Sequence, residues 1–282
     1  MERSVQSAPL AEPRARPQLR RGAAMFLLAK WYCDVVTDEG ACAIIYAARL
    51  RWGPIRVGYA STLYLAADAP PQEVATLRRV ESPRPDGDCL TWRNAPLRAE
   101  ARWRRDAPRI ERCLAHGPDG DVAWTCHMPR ARASVQIGDA HLEGLGYVES
   151  LHLAVPPWKL SFRALRWGRH LSAEHCLVWI VWTGGEERRW VWLDGVEQPA
   201  ATLHDGGLVG LADGAELLWH DGRDLRDRPL LATIAGPLPA LARRLAGPLA
   251  HLHEHKRLAP SAIVRAGRPL DHGWTVSEEV TW

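Results

Sequence analysis

The chain has 282 residues, with 46% hydrophobic and 24% charged residues, which is the balance of an ordinary globular protein with a sizeable core. Its net charge of +3 matches the surplus of five arginines over two glutamates in residues 1–25, so the rest of the chain is close to neutral. A neutral body is a poor electrostatic partner for nucleic acid, and we expect none to bind.

Residues 1–24 are rich in proline and arginine, and we predict that they form a disordered basic leader. Six cysteines are scattered without any C-x-x-C spacing, a pattern that favours free thiols in a reducing compartment. No stretch approaches the roughly 20 apolar residues that a membrane-spanning helix needs. We therefore expect a cytoplasmic protein, whose only membrane contact is peripheral and serves to collect an apolar substrate.

From Phe26 onward, short blocks rich in Val, Ile, Tyr and Trp alternate with turn residues, which predicts a mainly β protein. Residues 175–195 form the clearest hairpin, with two Trp-rich strands on either side of Thr183–Glu187. Both faces of these strands are apolar, so we expect one face to meet a core and the other a second layer or a lined cavity. The 14 tryptophans are consistent with either core filling or an aromatic ligand cavity.

Leu238–Leu258 is the best helix candidate, and Gly247-Pro248 interrupts it, which predicts one or two short helices near the C-terminus. On such a helix His251 and His255 would share one face at the i,i+4 spacing of a metal pair. A third ligand is not evident in the sequence, so we predict no metal site.

The tetrapeptide Leu-Arg-Trp-Gly occurs at Leu50–Gly53 and again at Leu165–Gly168, which suggests two similar β halves. Gly138-Asp139 reads as a linker between them. We therefore predict an N-terminal domain over residues 25–137 and a C-terminal domain over residues 138–282. The sequence contains no GxGxxG, P-loop, GxSxG or HExxH motif, which disfavours nucleotide binding and serine hydrolase chemistry.

Glu149 is the first candidate for a catalytic acid, because strand alternation places Tyr147, Glu149 and Leu151 on one face. If that face lines an apolar cavity, desolvation raises the pKa of the carboxyl group and keeps it neutral. A neutral acid beside Trp rings can protonate an alkene, and the rings stabilise the resulting cation. The alternative is an ion pair between Glu149 and Arg166 or Arg169 at the end of a barrel.

Asp34 is the second candidate acid, and Tyr32 shares its face of the strand. The alternative for Asp34 is a bond to the turn at Thr37. Three tryptophans accompany these residues as substrate-lining candidates, although each fits a core position equally well: Trp31, Trp158 and Trp167.

Two segments resemble the lipocalin-like, calycin-type family of carotenoid 1,2-hydratase, also called hydroxyneurosporene synthase, with tocopherol cyclase as a distant member. Lys30–Asp34 is similar to the family's Glu-Trp-Trp-Tyr-Phe start. Gly146–Glu149, followed by Pro157-Trp158, is similar to its Gly-Tyr-x-Glu segment. The chain departs from the pattern at Lys30, where an acid is usual, and at Ser150–His152, where Asn-Trp-Gly is frequent.

The resemblance implies two consecutive lipocalin-like antiparallel β-barrels or half-barrels with a hydrophobic cavity. It also implies acid-catalysed hydration or cyclisation of a C=C bond in an isoprenoid or polyene, without a cofactor. Glu149 corresponds to the acidic position, Tyr147 and Tyr32 would orient the acid, and Trp31, Trp158 and Trp167 would bind the substrate. Two alternatives remain: a non-catalytic carrier for an apolar ligand, and a structural protein whose own Trp side chains fill the cavity.

Overall fold

A computed structural model describes residues 26–204, 208–219, 221–229 and 251–281. Within these ranges the chain forms two antiparallel sheets, the first with 10 strands and the second with 11. The first sheet consists of β1 (Phe26–Val36), β2 (Cys42–Trp52), β3 (Ile55–Leu65), β4 (Gln72–Thr76), β5 (Arg84–Asp86), β6 (Cys89–Asn94), β7 (Ala99–Arg105), β8 (Ile110–Ala115), β9 (Val122–Ile137) and β10 (Ala140–Leu153).

The second sheet follows a short 3-10 turn at Pro157–Lys159, and another such turn, Ala95–Leu97, lies between β6 and β7. Its strands are β11 (Ala164–Ser172), β12 (Cys176–Thr183), β13 (Arg188–Leu193), β14 (Val196–Glu197), β15 (Thr202–His204), β16 (Leu208–Gly210), β17 (Ala215–Trp219), β18 (Arg223–Pro229), β19 (His253–Arg265), β20 (Arg268–Pro269) and β21 (Gly273–Thr281).

The two sheets share one topological plan. The strand order is β4-β3-β2-β1-β10-β9-β7-β6-β5 in the first and β14-β13-β12-β11-β21-β19-β17-β16-β15 in the second. β8 pairs with β9 in the first sheet, and β18 and β20 pair with β19 in the second. In each sheet the first strand pairs with the last at the middle of the strand order, and the predicted pair of lipocalin-like β units is confirmed.

The sheets divide the chain at a different point from the predicted boundary. β10 pairs with both β1 and β9, so the first sheet continues to Leu153 rather than ending at residue 137. Ile137 lies opposite Ala140, which makes Gly138-Asp139 a two-residue hairpin turn instead of a linker. Gly138 has a φ of 57°, the conformation that such a turn requires.

The predicted C-terminal helix is wrong where the structure describes it. His253–Arg265 is strand β19, and its buried residues alternate with more exposed ones in the period-2 manner of a sheet. His255 therefore does not share a helix face with His251, and its Nε2 lies 2.8 Å from Asp224 Oδ1. Residues 230–250 and the predicted leader lie outside the described residues. Among the residues described, no helix is long and apolar enough to cross a membrane.

Each sheet is buried on both faces, as the apolar hairpin at residues 175–195 predicted. One core contains only side chains of the first sheet, including Cys33 and Trp103. A second core contains only side chains of the second sheet, including Leu177 and Trp179. The largest core combines both sheets and lies between them. It includes Tyr32, Ile44, Tyr147, Trp167 and Ile180.

Gly168 lies beside Trp179 in the core of the second sheet, and a Cβ atom at this position would overlap the indole ring. We expect Gly168→Ala to lower the free energy of unfolding by about 1–3 kcal/mol, because overpacking forces the ring or the strand to shift. Gly117→Ala is the control, since a Cβ there meets only Gly120 O at 3.9 Å. Equal urea midpoints for the two variants would contradict the predicted overlap between a Cβ atom at residue 168 and the Trp179 ring.

Candidate active site

The candidate site lies on the face of the first sheet that packs against the second. Along β1, Tyr32 and Asp34 point to this face, as strand alternation predicted. The register places Tyr32 opposite Glu149 and Asp34 opposite Tyr147 on β10. The two strands therefore bring both candidate acids and both candidate tyrosines to one surface.

Glu149 receives three hydrogen bonds on one carboxylate oxygen. Its Oε2 accepts from Trp124 Nε1 at 2.5 Å, from the Tyr147 hydroxyl at 2.7 Å and from Trp167 Nε1 at 3.0 Å. Trp124 and Tyr147 belong to the first sheet, whereas Trp167 belongs to the second. Arg169 instead pairs with Asp34, and Arg166 donates to Glu279, so the structure does not show the ion pair that was the alternative for Glu149.

Burial raises the pKa of Glu149 above its ordinary value. Desolvation is the largest influence, and it outweighs the opposing hydrogen bonds from Trp124 and Tyr147 and the charge of Lys30. Because Oε2 already accepts three donors, the proton of the neutral acid belongs on Oε1. The carboxyl group thus combines a fixed orientation with a defined proton position.

Glu149 also keeps part of its surface accessible, although protein surrounds it. Lys30 on β1, Leu151 on β10 and Ala48 on β2 are likewise only partly buried. Lys30 lies opposite Leu151 on one side and Ala48 on the other, so these side chains form a continuous patch. We call this patch, which lies beside Glu149 on the face of the first sheet that packs against the second, the Lys30 patch.

Asp34 forms a buried ion pair with Arg169 of the second sheet. Arg169 Nη2 and Nε donate to the two carboxylate oxygens at 2.9 and 3.1 Å, and both side chains are 0% exposed. The Tyr32 hydroxyl donates to the same carboxylate at 2.9 Å. This pairing replaces the predicted bond to the turn at Thr37. Both carboxylate oxygens of Asp34 are thus occupied by the Arg169 guanidinium, which makes Asp34 a poorer candidate for the proton donor than Glu149.

Two lysines, Lys30 and Lys256, lie in the same interface, and the carboxylate partner of Lys256 was not apparent from the sequence. Lys256 of β19 is fully buried and pairs with Glu278 of β21. Its Nζ lies 5.3 Å from the ring centroid of Tyr32 and 5.6 Å from that of Trp167. Burial opposes ionisation of Glu278, but the charges of Lys256 and Lys30 lower its pKa. The interface is therefore strongly charged rather than purely apolar.

A further cluster of charged residues lies in the interface between the sheets. Arg226 donates to both oxygens of Glu254 at 2.8 and 2.9 Å and to Glu73 of the first sheet at 2.6 Å. Arg228 donates to the other oxygen of Glu73. Like the Asp34–Arg169 pair, this group links the two sheets by hydrogen bonds between charged side chains.

Glu149 and Glu278 occupy corresponding positions in the two halves. Glu149 lies on the last strand of the first sheet, opposite Tyr32 of the first strand. Glu278 lies on the last strand of the second sheet, opposite Trp167 of its first strand. On their other sides the partners differ, with Cys126 beside Glu149 and Lys256 beside Glu278. This difference accompanies the opposite pKa shifts of the two carboxyl groups.

The predicted tryptophans do not all meet at the site. Trp167 donates to Glu149, but Trp31 lies on the opposite face of β1 from Tyr32 and stacks on His127 at 4.5 Å between ring centroids. Strand alternation alone separates Trp31 from Tyr32, so this position was predictable. Trp158 contacts Phe26 at 6.0 Å and Trp52 at 5.3 Å, at the edge of the core between the sheets. Trp124, which the sequence did not single out, contacts the acid directly.

Solved structures with the same fold were found by comparison of the coordinates. CghA is 14% identical with a TM-score of 0.58, and the match covers 91% of this chain and 88% of CghA. An AttH-assigned protein from Nitrosomonas europaea is 9% identical with a TM-score of 0.54, covering 95% and 99%. Kievitone hydratase from Nectria haematococca is 8% identical with a TM-score of 0.54, covering 90% and 88%.

These similarities extend over almost the whole of each chain, so they show that the two-sheet architecture is shared. At such low identities they establish the fold alone. No protein-family model matches the sequence, and no curated protein matches it.

The Asp34–Arg169 pair should contribute strongly to stability. We expect Arg169→Met to lower the free energy of unfolding by about 3–5 kcal/mol, because it leaves the Asp34 charge buried without its partner. Arg84→Met removes one member of an exposed pair with Glu81 and should change stability by at most about 1 kcal/mol. Urea denaturation of both variants measures the difference. A loss no larger for Arg169→Met than for Arg84→Met would contradict this role.

Proposed function

We propose that the protein catalyses acid-assisted addition to a C=C bond of a hydrophobic unsaturated small molecule, either hydration or cyclisation, with Glu149 as the proton donor. The observation that carries this proposal is the environment of the Glu149 carboxyl group. It is desolvated, its pKa is raised, and three donors hold Oε2 so that Oε1 carries the transferable proton.

In the proposed reaction, the π electrons of the alkene take the proton from Glu149 Oε1, which leaves a carboxylate and a carbocation. Water, or a hydroxyl group of the substrate, then forms a bond to the cationic carbon through its oxygen. The proton that this oxygen loses returns to Glu149, so the acid is regenerated and no electrons are exchanged. Tyr147, Trp124 and Trp167 stabilise the carboxylate between the two steps through their hydrogen bonds to Oε2.

The role of the aromatic rings differs from our expectation. The rings of Tyr32 and Trp167 already face the ammonium group of Lys256. They are therefore less able to stabilise a second cation, since the ammonium charge repels it. The carboxylate of Glu149 that forms on proton transfer is the better counter-charge for the carbocation. We accordingly assign Asp34 and Tyr32 to positioning rather than to proton transfer.

The name of one structural neighbour agrees with this reaction class, although it does not identify the substrate of this protein. Kievitone hydratase is named for addition of water, and CghA has also been solved with the small molecule Sch210972. An acyclic isoprenoid or polyene is the substrate class that the sequence resemblance to carotenoid 1,2-hydratase implies. A non-catalytic carrier for an apolar ligand is the second candidate, and the same assay separates the two.

Replacement of Glu149 by glutamine should abolish most of the activity. The amide side chain of Glu149→Gln retains an oxygen that accepts hydrogen bonds but has no acidic proton, so we expect a loss of about 10²–10⁴-fold in turnover. The assay follows conversion of acyclic carotenoids and shorter acyclic isoprenoids, with incorporation of oxygen from labelled water read by mass spectrometry.

Glu279→Gln is the matched control, because Glu279 neighbours Glu278 but pairs with Arg166 at a partly exposed position. It should retain activity. Equal activity of Glu149→Gln and the wild type would rule out Glu149 as the acid. Quenching of tryptophan fluorescence by these ligands without any product would favour the carrier.

The reaction should slow as the pH rises. The active form of Glu149 is the protonated one, and its raised pKa extends that form to higher pH than an exposed glutamate allows. We therefore expect kcat/KM to be constant at low pH and to fall about tenfold per pH unit above the pKa of Glu149. Activity that rises through the same range would indicate a base instead of an acid.

A further inference from the structure

Lys30 is the cation of the Lys30 patch, and its ammonium group has no salt bridge in the described part of the chain. Its side chain is partly accessible, on the same face as Tyr32 and Asp34. Within the described chain no carboxylate lies within 4.0 Å of its Nζ. The group that Nζ does face is the ring of Tyr46, at 5.0 Å from the centroid.

The neighbouring buried cations differ from Lys30 in this respect. Each of them has a carboxylate within hydrogen-bonding distance, and these pairs are Arg169 with Asp34, Arg226 with Glu254, and Lys256 with Glu278. Lys30 therefore differs from these cations in having no carboxylate within 4.0 Å in the described chain, and its side chain is accessible enough for an anionic group of a ligand to approach it.

The charge on Lys30 is maintained. Burial opposes it, but Glu278, Tyr46 and Glu254 together raise the pKa of the ammonium group. A lysine of this kind is a cation that binds anions, and it is poorly suited to act as a free amine nucleophile. The Tyr46 hydroxyl is buried and has no hydrogen-bond partner among the described residues, so it is a second unused polar group on the same surface.

Lys30 is also placed next to the acid. Lys30 lies opposite Leu151, and Glu149 lies opposite Tyr32, so the two side chains are diagonal neighbours across β1 and β10. Such neighbours are about 7–8 Å apart, which is a distance that a small conjugated fragment spans. When Glu149 is neutral, as proton donation requires, it does not balance the charge of Lys30.

We propose that Lys30 binds an anionic oxygen of the substrate, a carboxylate or an enolate, and so holds the adjacent C=C bond against Glu149. This inference rests on the proposed function and narrows its substrate class from apolar unsaturated molecules to those that carry one such group. The ammonium ion fixes the polar end of the molecule, and the partly buried Leu28, Leu50 and Leu151 contact its hydrocarbon part.

The test compares farnesoic acid with its methyl ester, which has the same hydrocarbon chain but no charge. Binding to the full-length protein is measured by tryptophan fluorescence and by calorimetry at pH 7.5. We expect the acid to bind about tenfold more tightly than the ester, in line with one charge-assisted hydrogen bond. Lys30→Met should remove this preference and leave the affinity for the ester unchanged, whereas Lys30→Arg should retain most of it.

Lys159→Met is the control, because Lys159 is half exposed and its ammonium group already pairs with Asp119. It should keep the preference for the acid. If the wild type binds acid and ester equally, or if Lys30→Met retains the preference, the proposal is wrong. Should Lys30→Met fail to fold, the wild-type comparison and Lys30→Arg decide the question.

This binding experiment does not depend on turnover. A preference for the acid that requires Lys30, in a protein that converts no substrate, would uphold the anion site and contradict the proposed catalysis. Conversion that depends on Glu149 but shows no preference for charged substrates would uphold the proposed catalysis and contradict the anion site.

Discussion

The ion pair between Asp34 and Arg169 is the contact on which the arrangement of the two sheets depends. Two fully buried charges are stable only when their geometry satisfies both partners, and here a bidentate fork, a tyrosine hydroxyl and the Trp274 carbonyl do so. The pair fixes β1 against β11. Tyr32 and Trp167 lie two residues before Asp34 and Arg169 on these strands, so the pair also determines how Trp167 reaches Glu149.

The interface that results combines the largest apolar core with several buried charged groups. Glu149 differs from the other carboxylates of this interface because only neutral donors bond to it. That distinction gives one carboxyl group a raised pKa in a region where Glu278 has a lowered one. A pair of titratable groups with divergent pKa values is a common property of acid–base sites.

The sequence was sufficient to predict the features of the fold and of the candidate site that depend on the local alternation of residues along a strand. Alternation identified the β class, the shared face of Tyr147 and Glu149, and the shared face of Tyr32 and Asp34. It could not identify Arg169 or Trp167 as partners of these acids, because those contacts join residues more than a hundred positions apart or cross between sheets. The turn at Gly138-Asp139 was misread, since a hairpin turn and a linker use the same residues.

The common topology of the two halves has a consequence for how such a site arises. Repetition of one fold presents two equivalent strand positions, now Glu149 and Glu278, to a shared interface. Lys256 pairs with Glu278 and lowers its pKa, whereas Glu149, beside Cys126, accepts hydrogen bonds from neutral donors only and has a raised pKa. Chemical asymmetry thus exists within a repeated scaffold, and neither half by itself contains the complete environment of Glu149, because Trp167 comes from the second sheet.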